Sequence, residues 1–441
     1  MAMGFLGVDS GELQERATAK ERWAWYLYDF GNSAYAAVVL LAVYSAYFKG
    51  TVVGGAKGSQ LWGRSVAMAM LVVALISPVL GAIADFSGTK KRFLFVFTSM
   101  AVLFTSLLFF VQQGDIFWGM LWFILAEIGY RGAQVFYNSL LPEIAAPEEL
   151  GKVSGIGWAI GSAGGIVCLL LILPAIMLIK GPLVVRASLV FTALYFAAFT
   201  IPLFTRLKER AAPKELPAGE SYLTMGFKQT FATLRKARHY RGFVRFMLAF
   251  LVYNDGIMMV MNFAAIIGAV LFGLEQQGLI IFVILVQATN VLGAYLFGHW
   301  ADSWGAKRSL LAAIMMMLGA LVWLYFIQTQ VMFFVIGAVA GVAMAGMQAV
   351  SRSMVGKLCP VGQSAEFYGF FAVAGRTSSF IGPAVYGWVA YRAALWFEAQ
   401  GWTALLAEQQ GQRLAILAIG VFLLVGMGLL FSVDEEVDSR R

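Results

Sequence analysis

Four polar residues in one apolar stretch, Glu127, Arg131, Gln134 and Asn138, recur at i, i+4, i+7 and i+11. That spacing lines them along one face of a helix. A charge at the centre of a bilayer costs roughly 2.5 to 3.5 kcal/mol, so such side chains turn toward a cavity or a partner. At about 1.5 Å of rise per residue, Glu127 falls near mid-depth, Arg131 in the inner half, and Asp29 about 9 Å inside the first span. These depths suggest an ion pair between Asp29 and Arg131. The alternative is that Glu127 and Arg131 neutralise each other along their own helix.

Two further charges sit deep in the second half of the chain, Asp255 about 18 Å and Arg376 about 15 Å into their spans. Asp255 can hold an ammonium or take up a proton, since a low dielectric disfavours a bare carboxylate. Arg376 can grip a carboxylate through its planar fork. A structural ion pair between the two is the other reading. Asn32, Tyr253, Asn254, Asn262, Gln287, Asn290 and Gln348 offer neutral hydrogen bonds around such a site, or simply tie helices together. Met258, Met259 and Met261 beside Asp255 suit either an adaptable apolar pocket or plain packing.

The elements that position these residues follow from composition. Sixty per cent of the 441 residues are hydrophobic and 13% are charged, with a mean hydropathy of +0.78; soluble chains carry about 25% charge. Apolar runs of about 20 residues, long enough for roughly 30 Å of hydrocarbon, recur throughout. Helices are the expected form, because lipid leaves backbone groups no other partner. Spans are placed near 23–48, 62–84, 92–112, 116–140, 152–179, 183–204, 243–272, 278–300, 308–327, 331–356, 367–391 and 411–431. Lys and Arg crowd the loops on the side of the termini, so both termini are expected in the cytoplasm. The expected divisions are a cytoplasmic segment 1–22, a six-helix bundle 23–204, a basic linker 205–242, a second bundle 243–432 and a cytoplasmic tail 433–441. A surface helix is expected in the linker around 222–238. The basic balance, +8 overall, is explained by this topology and not by nucleic acid.

The halves repeat. Gly81-Ala-Ile-Ala-Asp85-Phe-Ser-Gly88-Thr-Lys-Lys-Arg92 returns as Gly298-His-Trp-Ala-Asp302-Ser-Trp-Gly305-Ala-Lys-Arg308, each after the second span of its half. Tyr28-Asp29-Phe30-Gly31 is echoed by Tyr253-Asn254-Asp255-Gly256. In the loop motif the glycines suit a tight turn and close helix approach, and Asp85 and Asp302 can pair with arginines or helix N-termini. It therefore reads as a cytoplasmic gate, or as a static latch. Gly157, Gly161, Gly164 and Gly165 mark close helix packing, expected where the halves meet. Trp23, Trp25, Trp62, Trp118 and Trp122 near span ends suit anchoring at the membrane interface.

The doubled Gly-x-x-x-Asp-x-x-Gly motif resembles the signature of the major facilitator superfamily. Trp25–Tyr35, Val135–Glu143, Tyr253–Gly256, Gln348–Arg352 and Gly375–Pro383 narrow the resemblance to the vacuole-effluxer-like branch, also called the unknown major facilitator family. It covers about 23–431. The resemblance implies an all-α membrane protein of about twelve transmembrane helices in two pseudo-symmetric bundles. Its fungal relatives are associated with moving amino acids out of the vacuole.

The expected function is a secondary transporter of a small polar or zwitterionic solute, such as an amino acid, working by alternating access in the inner membrane of a bacterium. Its expected partners are membrane lipid, the solute and protons; the chain is expected to be a monomer without nucleic acid. An exporter of a larger amphipathic compound and a non-transporting sensor are the alternatives. No catalytic, metal or cofactor pattern stands out: His239 and His299 are isolated, Cys168 and Cys359 form no pair, and no Walker loop occurs.

Overall fold

The computed structural model describes residues 17–433 apart from 87, 146–149, 180, 211–214, 218, 238–239, 359–370, 372–373 and 376–378. Helices dominate, because apolar runs of this length can satisfy their backbone only internally. The first, α1, begins at Ala19 with a reciprocal cap: Glu21 N donates to Thr18 Oγ1 at 3.3 Å and Thr18 N to Glu21 Oε2 at 2.8 Å. It is α-helical over Ala19–Tyr35, then passes through π-helical stretches at Ala36–Ala42 and Phe48–Val53 around one turn at Tyr44–Tyr47. There follow α2 (Gly55–Phe86), α3 (Lys90–Leu107), α4 (Ile116–Ser139), α5 (Leu150–Ile179) and α6 (Pro182–Arg206). The linker carries α7 (Tyr222–Ala237), where a surface helix is expected. The second half holds α8 (Arg241–Phe272), α9 (Gln276–Ser303), α10 (Ala306–Phe326), α11 (Gln330–Leu358), α12 (Ile381–Ala399) and α13 (Ala404–Phe431).

Ten helices among the described residues are long and apolar enough to cross a membrane. Outside that set are α4, which carries Glu127 and Arg131, and α12. The eleventh span, expected at 367–391, is instead helical at Ile381–Ala399, and much of 367–380 lies outside the described residues. Arg392, which falls just beyond the expected end of that span at 391, belongs to the same helix, as does Glu398.

Neighbour relations repeat between the halves. In the first half α1 packs on α5 and α6, α3 on α4 and α6, and α2 on α4. Moving each number to its counterpart gives α8 on α12 and α13, α10 on α11 and α13, and α9 on α11, and all five pairs are present. The contacts between halves follow the same symmetry: α2 meets α12, and α5 meets α9. Innermost are α1 and α8, each with 67% of its most apolar stretch buried, against 28% for α3 and α9.

Glycine sets the closest approaches. On α5, a Cβ at Gly164 would stand 2.1 Å from the Phe30 carbonyl oxygen, and one at Gly157 would stand 2.4 Å from the Trp25 ring. This glycine face therefore packs on α1 within its own half and not at the meeting of the halves. Gly88 (φ +57°) and Gly305 (φ +97°) hold the left-handed backbone of the two repeated turns. Gly81 and Gly298 are expected to bring helices together, yet no described atom lies within 4 Å of a Cβ built at either. Gly164→Ala is thus expected to cost about 1–3 kcal/mol, read as a lower Tm of the purified protein. Gly81→Ala should leave Tm unchanged.

Candidate functional site

The fourth helix turns its charges inward. Glu127 is fully buried, and its Oε1 accepts from Arg131 Nε at 2.8 Å, one helical turn away. Arg131 therefore pairs within its own helix and not with Asp29, which corrects the expected pairing. The reason is local: an i, i+4 pair closes on a backbone already ordered, whereas Asp29 turns toward α5. There a Cβ at position 161 would lie 2.4 Å from Asp29 Oδ2, so Gly161 makes the room that the carboxylate fills. The hydrogen-bond partner of Asp29 among the described residues is Asn32 Nδ2, at 3.4 Å.

Between these groups stands an aromatic pair. The rings of Tyr35 and Tyr130 stack with centroids 4.5 Å apart, and the Arg131 guanidinium lies 5.2 Å from the Tyr130 ring centroid. Tyr130 is within electrostatic reach of Glu127, Arg131 and Asp29 at once. Asn32 Oδ1 lacks a hydrogen bond, and the Tyr35 hydroxyl lies beside the Glu127 carboxylate without a bond of good geometry to its Oε2. Such atoms cost about 1–3 kcal/mol each when nothing meets them. The side chain of Arg131 keeps 22% of its surface exposed, and its two Nη atoms make no hydrogen bond among the described residues. Further along the stripe, Gln134 is half-buried and Asn138 exposed.

In the second half, Asp255 is buried on α8 and accepts from the Gly382 backbone N–H at 3.1 Å, at the start of α12. Gly382 is needed there, since a Cβ would stand 2.6 Å from the Asp255 carbonyl oxygen. Arg376 lies outside the described residues. Asn254 Nδ2 donates to the Gly375 carbonyl at 3.3 Å, and Tyr253 shares a 2.6 Å hydrogen bond with Ser351 on α11. The matching tyrosine of the first half, Tyr28, shares one of 2.7 Å with Thr98 on α3. Asn262 donates back to the Met258 carbonyl at 2.7 Å. On α9, Asn290 is buried with its Oδ1 unpartnered and Gln287 is half-buried, as is Gln348 on α11. Met259 is fully buried, while Met258 and Met261 are half-buried.

The halves are sealed together at the face remote from the chain termini. Lys49 forms a buried ion pair with Glu408, each side chain 9% exposed. Gln412 on α13 donates to Ser59 on α2 at 2.6 Å and accepts from Tyr386 on α12 at 2.8 Å. Trp62 Nε1 donates to the Asn262 carbonyl at 2.8 Å, and Gln276 donates to the Ala42 carbonyl at 2.7 Å, where the first π-helical stretch ends. Sequence reasoning missed this seal, because Lys49 and Glu408 fall just outside the expected spans, where a charge reads as solvated. Trp62 and Trp25 are likewise buried and not interfacial; Trp25 stacks on Tyr137 at 4.4 Å. Trp23 and Trp118 are exposed, as expected of anchors. In the repeated loops Arg92 and Arg308 are exposed; Asp85 and Asp302 close α2 and α9, their side chains lying outside the description.

Two matching six-helix halves joined at one face, with the relatives the chain matches, define a multi-pass membrane transporter of the major facilitator type. The family described as "Vacuole effluxer Atg22 like" matches residues 61–440, and the chain belongs to it. It is 27% identical to an uncharacterized MFS-type transporter, YxiO, of Bacillus subtilis, over 97% of each chain. It is 25% identical to autophagy-related protein 22-1 of Aspergillus niger over 70% of its own length, and spans about half of that longer relative. Among solved structures it resembles a single-substitution variant of the nucleoside transporter NupG (TM-score 0.70, 14% identity, 94% and 98% of the two chains). It also resembles a bacterial homolog of the human lysosomal transporter Spinster in an inward-facing, occupied conformation (0.67, 14%, 94% and 95%).

Losing Arg131 strands a carboxylate with no exposed surface, whereas losing Glu127 leaves a guanidinium that still reaches solvent. Arg131→Gln is therefore expected to cost about 3–5 kcal/mol and Glu127→Gln less, with the double variant recovering most of the loss. Tm of the purified variants measures all three.

Proposed function

We propose that the protein is a secondary transporter that carries a small polar or zwitterionic solute, of the size and charge of an amino acid, by alternating access. The observation that carries this reading is the buried cluster of Asn32, Tyr35 and Glu127, incompletely hydrogen-bonded, beside the uncommitted Nη atoms of Arg131. The Arg131 fork suits a carboxylate. Asp29 and the second oxygen of Glu127 suit an ammonium a few ångströms away. A solute carrying both groups meets both demands, whereas an apolar one leaves the cluster unsatisfied.

Alternating access is supported by where the halves touch. The Lys49–Glu408 pair and the Ser59–Gln412–Tyr386 chain close one face; opening that face requires them to part. The Lys and Arg bias of the loops orients the termini toward the cytoplasm, as in a bacterial inner membrane. Asp29 and Asp255, buried or half-buried with no cation against them among the described residues, are the proposed proton carriers. Tyr253, Asn254, Gln287, Asn290, Gln348 and Arg376 are proposed as further solute or proton ligands of the second half.

The test is flux in sealed vesicles holding the purified protein, with a panel of labelled amino acids, peptides and amphiphiles. Saturable uptake of at least one amino acid is expected. It should fall by an order of magnitude or more in Glu127→Gln, the milder of the two single variants, with binding of the same solute weakened in a thermal-shift assay. A pH gradient should accelerate uptake, and Asp29→Asn should abolish that acceleration. Amino-acid flux no greater than in protein-free vesicles, with the fold intact by Tm, rejects the reading.

A second measurement addresses the mechanism. Cross-linking Lys49→Cys to Glu408→Cys should stop flux, and reduction should restore it. Undiminished flux through the cross-linked protein rejects alternating access by parting of this face.

A further inference from the structure

The linker helix α7 is held against α2 at one point that leaves no room for a side chain. A Cβ at Gly226 would stand 2.3 Å from the Pro78 carbonyl oxygen. Pro78 lies eight residues before the end of α2 at Phe86, which is about 12 Å along the helix axis. The contact therefore sits at the depth of the boundary between acyl chains and headgroups, not out in water. One turn deeper, Leu75 of α2 is 60% exposed, as a lipid-facing residue is.

At about 100° per residue, α7 shows three faces in order around its axis. Gly226 marks the face against α2. Leu223, Phe227 and Phe231, at i, i+4 and i+8, form the next face and are 57%, 36% and 67% exposed. Beyond them come the exposed Lys228 and Arg235. An apolar stripe in water on an otherwise solvated helix would cost free energy for every residue it exposes. Its place between a packed face and a cationic one is the arrangement of a helix lying in a membrane interface. Residues 220–245 carry six Lys or Arg against one acid, Glu220, which pairs with Lys228, and the remaining positive charge complements anionic headgroups.

We propose that α7 is a membrane-docking helix, with Leu223, Phe227 and Phe231 in the outer acyl region and Lys228 and Arg235 at anionic headgroups of the leaflet facing the termini. Through Gly226 it ties that leaflet to α2, the helix that also meets α12 of the other half. The inference stands whether or not the cargo is an amino acid.

The test places an environment-sensitive fluorophore at Phe231→Cys, Leu223→Cys or Lys228→Cys, in a Cys168→Ala, Cys359→Ala background reconstituted in vesicles. Nitroxide-labelled lipid should quench the probes at 231 and 223 and iodide should not, with the reverse at 228. Replacing phosphatidylcholine by phosphatidylglycerol should increase lipid quenching at 231, and Arg235→Gln should remove that increase. A probe at 231 as open to iodide as one at 228 overturns the docking. Quenching at 231 indifferent to phosphatidylglycerol overturns the anionic preference. The probe positions and Arg235 are exposed, so these substitutions retain the fold, with the Tm of the buried Cys168→Ala background as its control; Gly226→Leu provides the independent check and should shift the 231 probe toward iodide.

Discussion

A charge carried into hydrocarbon must find a partner or water, and this fold meets that condition only in part. The Glu127–Arg131 pair neutralises its own net charge within one helix, yet it uses one carboxylate oxygen and one guanidinium nitrogen. The carboxylate otherwise faces the buried Tyr35 hydroxyl, and the guanidinium lies over the Tyr130 ring with part of its surface open. Much of the surrounding architecture answers the same constraint. The helices supply their own backbone hydrogen bonds, small residues let them approach without polar contacts, and charges that leave the core are placed at the two faces.

The meeting of the halves shows how little is needed to join them. With lipid on every side, apolar contact alone does not favour one packing over another, so steric fit and a few directional bonds decide it. Gly63 and Gly387 admit the backbones of Pro383 and Ser59, which brings α2 against α12. Around that contact the Lys49–Glu408 pair and the Gln412 bonds provide direction. The polar contacts of this joint are few and gather at one face. The π-helical stretches of α1 fall on the same side and present Ala42 to Gln276, consistent with the tendency of such turns to mark functional regions.

Much of the fold is legible in the chain. Long apolar runs divide the helices, the doubled loop motif identifies the repeat, and basic residues between proline and glycine mark the linker that carries α7. The differences have a common cause. The eleventh span is expected to end at 391, before Arg392, although a helix end at a membrane face tolerates that charge and α12 runs on to Ala399. Trp25 and Trp62 suggest anchors because tryptophan favours interfaces, whereas each buries its ring and spends its N–H on a carbonyl within the protein. Composition measures how well a residue suits water or lipid, and a protein interior is neither.

The sequence by itself determined that the chain crosses a membrane many times, that its halves repeat, and which charges lie too deep to be solvated. All three depend on local hydrophobicity and on motifs that need no knowledge of neighbours. Only the tertiary structure decided that Arg131 takes Glu127 and leaves Asp29 to Gly161, that Lys49 meets Glu408, and that the glycine face of α5 rests on α1. Partner choice depends on how helices are rotated and tilted against each other. That orientation is set by steric fit summed over whole faces, which periodicity along one chain does not contain.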